Sequence, residues 1–151
     1  MEKYYKIEKT RDIDSNYLEE LQISSSYSRI WKATEINRFL MNENNFSISC
    51  SLNTGIIGFC MCQNILDSLE ICLLLVKKEY RSRGFAKLIF EEIIRFCKDK
   101  KIKRIMLEVS TENKIALNFY KSLNFKKVGT RKNYYSNKFS FCDAILMDFK
   151  L

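Results

Sequence analysis

The chain contains no histidine and no proline, and only four of its 151 residues are glycine. The missing imidazole removes Ser-His and Cys-His nucleophile pairs and His-ligated zinc in one step. Acid–base chemistry is left to Glu, Asp, Tyr, Lys, Cys or water. Long apolar runs are missing too, since none approaches the ~20 residues that span a bilayer. The opening MEKYYKIEKT carries charge but no apolar core of a secretory signal, so the expected location is the cytoplasm, with no membrane partner. With no linker, repeat or low-complexity stretch, residues 1–151 read as a single domain large enough to bury a core.

Apolar residues make up 46% of the chain and charged residues 29%, the balance of a globular protein rather than a disordered one. Six cysteines, at 50, 60, 62, 72, 97 and 142, lie in apolar segments without secretory context and read as buried small hydrophobes, not as a disulfide framework. Cys60 and Cys62, two apart on a strand, would share one face, and with no second ligand pair no metal is expected. Lys and Arg outnumber Asp and Glu by 26 to 18, a net charge of +8 that attracts anions. Cofactor phosphates, an RNA-rich partner and a solubility surface all fit. The lysines are scattered, so direct nucleic-acid binding is not required.

The hydrophobic pattern predicts strands over KYYKIEK, FSISCSL, GIIGFCMCQ, SLEICLLLV, KRIMLEV, FKKVGTR and FCDAILMDF. Helices are predicted over DIDSNYLEELQISSS, capped by Asp12 or Asp14, and over KATEINRFLMNEN, capped by Thr34. Asn53–Gly55 is a hairpin turn. Beyond Gly84 the apolar positions 85, 88, 89, 93, 96 and 97 mark a helix face, with Glu91 and Arg95 paired on its exposed side. A last helix runs from about Asn113 to SLNF, where Asn124 takes the left-handed conformation that stops it. The order βααβββαβαββ is that of an α/β (α+β) fold, one mixed sheet with helices on both faces.

The stretch EYRSRGFAK is the most informative. Gly84 stands where a strand hands over to a helix, at unpaired N–H groups carrying the positive end of the helix dipole. A residue without Cβ lets phosphate oxygens approach those donors, and small Ala86 keeps the next position open. Arg81, Arg83 and Lys87 add cationic arms, with Ser82 and Phe85 completing the stretch. A basic turn capping a helix would give the same letters, so context decides.

In context, the strand LEICLLLV, then R-x-x-G-x-A, then a long helix resembles the acetyl-CoA signature of the GNAT-type N-acetyltransferases. IMLEVSTENKIALNFYKSLNFKKVG is similar to that family's second signature, with Asn113, Ala116, Tyr120 and Phe125 in place. The resemblance covers about residues 55–150 and implies a mostly antiparallel mixed sheet and acetyl-CoA as co-substrate. LEV, ALNFYKSLNF, RKNYY and CDAILMDF together look like the branch that acetylates the N-terminal amine of a small-subunit ribosomal protein. It implies Glu108 as general base and Tyr120 as general acid. It also implies that a strand bulge near Leu74, Leu75 and Val76 frees N–H groups for the thioester oxygen and the pantetheine arm. Asn124 stands where the family has glycine, and Lys77-Lys78 where it has an acidic-Pro pair.

The residues themselves fit those roles while leaving plainer ones open. In KRIMLEV, Ile105, Leu107 and Val109 alternate onto one face, leaving Met106 and Glu108 on the other. Glu108 is then a base facing a cleft, or a strand glutamate facing solvent or a lysine. Tyr120 lies on its helix's core stripe, as acid or as packed tyrosine. Asn113 caps its helix and, if the resemblance holds, also meets pantetheine. Tyr134 and Tyr135 line the acceptor mouth or are plain hairpin aromatics, and Trp31 is the opposite lip or core. The expected activity is direct acetyl transfer to a protein N-terminal α-amine, in an enzyme that is a monomer or weak homodimer. Transfer to a lysine, a polyamine or another small amine is the alternative, and a non-catalytic CoA-binding or RNA-associated module the remaining one.

Overall fold

The structure is a computed structural model that describes residues 4–25, 29–136 and 141–151. Its elements are β1 (Lys6–Thr10), α1 (Ser15–Ser24), α2 (Ala33–Met41), β2 (Asn45–Leu52), β3 (Gly55–Ile65), β4 (Ser68–Val76), α3 (Phe85–Asp99), β5 (Arg104–Ser110), α4 (Lys114–Ser122), β6 (Lys126–Ser136) and β7 (Phe141–Lys150). A 3₁₀ turn, Lys78–Tyr80, follows β4. The seven strands form one sheet in the order β1-β2-β3-β4-β5-β7-β6. Among the described residues only β4 and β5 pair in parallel.

Local chemistry sets the ends. Of the two aspartates before α1, Asp14 is the cap, its Oδ1 accepting from the Asn16 and Tyr17 N–H groups at 3.0 and 3.2 Å. For α2, Thr34 is not the cap. The helix starts at Ala33 because two carboxylates cover its first donors, Glu35 accepting from Lys32 N–H at 2.8 Å and Glu19 from Ala33 N–H at 2.6 Å. On α3, Arg95 pairs with Glu92 at 2.8 Å, three residues back, instead of with Glu91. Gly55 at φ +112° lets the two-residue Asn53-Thr54 loop close the β2–β3 hairpin. Asn124 at φ +71° ends α4 as its sequence position predicts.

Each sheet face is covered by its own helix pair. Phe46, Ile48, Ile57, Leu69, Ile71, Ile105, Leu107 and Val109 pack with Phe85, Ile89, Ile93, Leu117 and Tyr120 from α3 and α4. On the other face Phe59, Met61, Leu73 and Leu75 pack with Leu18, Leu21, Ile36 and Leu40 from α1 and α2. Four cysteines (50, 60, 62 and 97) are fully buried, the Cys60 and Cys62 sulfurs 3.5 Å apart on one face. Burial pushes the Cys50 thiol up to about 11 and that of Cys97 to about 12. Cys72 and Cys142 are half-buried.

Candidate active site

The site begins where the sheet comes apart. β4 and β5 pair only over Ser68–Ile71 and Arg104–Leu107, after which β4 continues to Val76 and β5 to Ser110 without meeting. A bulge marks the point of separation. Met61 stands opposite Leu73 and Cys62 opposite Ile71, so Cys72 is the extra residue of β4. The bulge expected around Leu74–Val76 is thus nearer the start of the strand. It reverses the alternation, moving Leu73 and Leu75 to the face opposite Leu69 and Ile71. Lys77 N–H donates to Ile57 C=O at 2.8 Å, and alternation from there turns the N–H groups of Leu74 and Val76 away from β3, into the gap. Leu75, buried to 2% exposure, turns its backbone the other way.

At the far end of the gap lies the glycine loop. Gly84 is the N-cap of α3 at φ +87°, ψ −2°, a left-handed conformation that L side chains resist. A Cβ added there would meet nothing within 4 Å, so the space above the residue is open. No side chain caps α3, which leaves the first helical N–H groups, from Phe85 to Lys87, directed at that space. Ser82 at φ +58° makes a second left-handed step in the loop. Arg83 and Lys87 are exposed, with the Arg83 guanidinium 5.6 Å from the Tyr80 ring centre. The Phe85 side chain is core, leaving only its backbone to the loop.

Arg81 differs from the cationic arm anticipated for it. Its guanidinium donates to Val76 C=O at 3.0 Å and to Ser25 C=O at 3.1 Å, bracing the loop against the end of α1. Lys77 likewise turns away from the loop, its Nζ donating to the Tyr17 hydroxyl at 3.2 Å. Lys78 is exposed. Asn113 is the N-cap of α4, its Oδ1 accepting from Ala116 N–H at 3.1 Å.

Glu108 is largely turned from solvent, and among the described residues its ion-pair partner is an arginine rather than a lysine. Its side chain is 17% exposed, and Oε1 lies 3.2 Å from Arg131 Nη2 on β6. A second carboxyl that sequence reasoning overlooked, Glu70, shares this corner from β4. Burial, then the Glu108 charge, raise its carboxyl above the ordinary range, and the Arg131 guanidinium works against both. Only the parallel pairing of Glu70 with Met106 brings it beside Glu108. The alternation Leu69, Glu70, Ile71 was the available signal: a charged residue between two buried ones on a central strand. Cys72 is next along, and burial and the Glu70 charge push its thiol far up.

Tyr120 lies across the sheet from Glu108, 7% exposed, with its ring against Phe119 and Phe125. The lip expected to face the acceptor belongs to β6, which the sequence pattern ends at Arg131. The strand continues to Ser136 through a wide bulge: Arg131 pairs with Ala144 and Tyr135 with Cys142, so three residues of β6 oppose Asp143 alone. Asn133 at φ +53° donates its N–H to Asp143 Oδ1 at 2.9 Å, fixing that shape. Tyr134 is 43% exposed, edge-on to Tyr135, with the Arg131 guanidinium 5.3 Å from its ring centre. Trp31 packs at the margin of the α1–α2 core, edge-on to Phe39, and Gln22 holds its backbone. The structure therefore groups Glu108 with the Tyr134 lip, and gives Trp31 mainly a packing role.

The sequence profile of the Acetyltransferase (GNAT) family matches residues 8–125. A Bacillus subtilis (strain 168) protein provisionally named ribosomal protein bS18-alanine N-acetyltransferase is 29% identical over 136 residues, 90% of this chain and 87% of that one. The ribosomal protein bS18-alanine N-acetyltransferase of Haemophilus influenzae is 36% identical over 83 residues, 55% of this chain and 56% of the relative. Among solved structures, the ribosomal-protein-S18-alanine N-acetyltransferase from Escherichia coli superposes with a TM-score of 0.89 at 21% identity, covering 97% of this chain and 94% of that one.

Proposed function

The chain belongs to the GNAT acetyltransferase family and is an acetyl-CoA-dependent N-acetyltransferase, and from that premise we propose that its acceptor is the N-terminal α-amine of a ribosomal protein. The observation that carries this reading is the similarity over nearly the whole chain to a protein provisionally named for bS18-alanine acetylation. The open lip at Tyr134 supports it, since it offers a flat aromatic ring to an extended peptide.

The residues present fit acetyl-CoA. The uncapped α3 N-terminus, the open space over Gly84 and the cations Arg83 and Lys87 suit a pyrophosphate. The N–H groups of Leu74 and Val76, turned into the gap, suit the pantetheine amides and the thioester oxygen. Acetyl-CoA supplies an acetyl group activated as a thioester. Glu108 takes a proton from the acceptor ammonium, directly or through water, and Tyr120 returns one to the departing sulfur. A nitrogen that starts with three N–H bonds keeps one in the amide; of its two protons one replaces that of Tyr120 and the other leaves to solvent. Arg81 holds the loop in place.

Thiol release from acetyl-CoA with an acceptor panel tests the reading. The panel holds peptides with free Ala, Ser and Met N-termini, an N-blocked lysine peptide and spermidine. Turnover with free Ala is expected; turnover only with lysine or spermidine would leave the fold and site and overturn the acceptor.

A further inference from the structure

Building on that reading of the acceptor, we propose that Arg131 is a positioning residue for the transfer, holding Glu108 at the acceptor mouth and tying that carboxylate to the aromatic lip at Tyr134. Arg131 is the last regularly paired residue of β6 before its bulge, opposite Ala144, which β7 in turn pairs with Ser110. From there its side chain, 54% exposed, crosses the β7 row to Glu108 on β5 at 3.2 Å. The same guanidinium lies 5.3 Å from the Tyr134 ring centre. One planar cation thus bonds a carboxylate with its edge and meets a ring, a combination that a lysine ammonium does not reproduce.

The need for such a group follows from the corner's charge. Glu70, on the last rung but one of the β4–β5 pairing, and Glu108, one residue past its end, face the same side of the sheet. Without a cation, their repulsion would favour rotamers that turn the exposed end of Glu108 away. Among the described residues, the titratable and charged groups that act on Glu70 or adjoin it are Cys72 on its own strand, Glu108 on β5 and Arg131 on β6, with uncharged Gln63 opposite on β3. Arg131 alone among them opposes the repulsion. The β6 bulge, pinned by Asn133 and Asp143, fixes both Arg131 and Tyr134 relative to β7. A peptide pressing on Tyr134 therefore acts on the residue that aims the base.

The test compares Arg131→Gln and Arg131→Lys with the wild type, using whichever amine the wild-type enzyme acetylates, and repeats Arg131→Gln in the Glu108→Gln background. Arg131→Gln should lower kcat about 10- to 100-fold, the scale of a misplaced catalytic group. The KM for acetyl-CoA should stay within about twofold and Arg131→Lys should restore only part of the rate. In the Glu108→Gln background the same change should cost less than about threefold, because both act through one carboxylate. Equal losses in both backgrounds, or a loss confined to the KM for acetyl-CoA, would overturn the proposal. A wild type acting only on side-chain amines would overturn the acceptor reading instead and leave this comparison intact.

Discussion

Glu108 and Tyr120 belong to opposite faces of one sheet. Ile105, Leu107 and Val109 turn β5 toward the cluster that contains Tyr120, so Glu108, between Leu107 and Val109, points to the other side. The gap between β4 and β5 joins the two faces. In the proposed roles, the amine is deprotonated on one side of the thioester and the sulfur protonated on the other, which suits direct transfer in a ternary complex.

Glu108→Gln should lower kcat/KM for the acceptor by ~10²- to 10⁴-fold. The loss should be greatest where the α-amine is protonated and shrink above about pH 8, near the amine's own pKa. A pH–rate profile checks this, and a loss of constant size would argue against a base.

Tyr120→Phe keeps the ring that packs on Phe119 and Phe125, so the variant should stay folded. Its kcat should fall about 100-fold while the KM for acetyl-CoA is nearly preserved. Unfolding of this variant would assign the hydroxyl to the core.

In the loop, Gly84→Glu places a carboxylate in open space at the helix N-terminus and imposes a left-handed φ on a side chain. The KM for acetyl-CoA should rise more than tenfold. Arg81→Ala loses two charged hydrogen bonds to carbonyls and should destabilise by about 1–3 kcal/mol. Denaturant melts alongside steady-state kinetics separate the two effects.

The raised Glu70 carboxyl has a stability consequence of definite sign. A folded pKa above the unfolded one means the native state binds the proton more tightly, so stability is fullest below the unfolded pKa of about 4.3 and falls as pH rises through the folded value. Glu70→Gln should therefore raise the melting temperature at pH 7 and leave it unchanged at pH 4. Glu19 has the opposite sign, because the Ala33 N–H, with help from Lys32, holds its carboxyl below the ordinary range. Glu19→Gln should lower the melting temperature at pH 7, and that difference should close as pH falls through the folded value.

Much of the fold was legible because each element buries one periodic face. The α3 stripe, the β5 alternation and the Asn53–Gly55 turn are local signals, and the structure keeps all three. What the letters hide is pairing. The position of Glu70 beside Glu108 depends on a parallel register between segments some forty residues apart, and the aim of Arg131 on its register opposite Ala144, which follows a one-residue shift at Val128. Arg81 looked like an arm for phosphate because its spacing from Gly84 is local information, whereas Ser25, the carbonyl it bonds, lies 56 residues away. The α2 cap escaped notice for the same reason, since one of its carboxylates, Glu19, is supplied by α1.

The bulge at Cys72 makes β4 sensitive to length rather than to volume. A larger or smaller apolar residue there changes local packing, but removing one residue would restore a single alternation along the whole strand. Leu73 and Leu75 would keep their present face and partners if Cys72 were the residue removed, whereas one residue inserted after Leu73 would bring Leu75 to the face of α3 and α4 and turn the donors of Leu74 and Val76 back toward β3. That insertion should abolish acetyl transfer where point substitutions across 73–76 only weaken it.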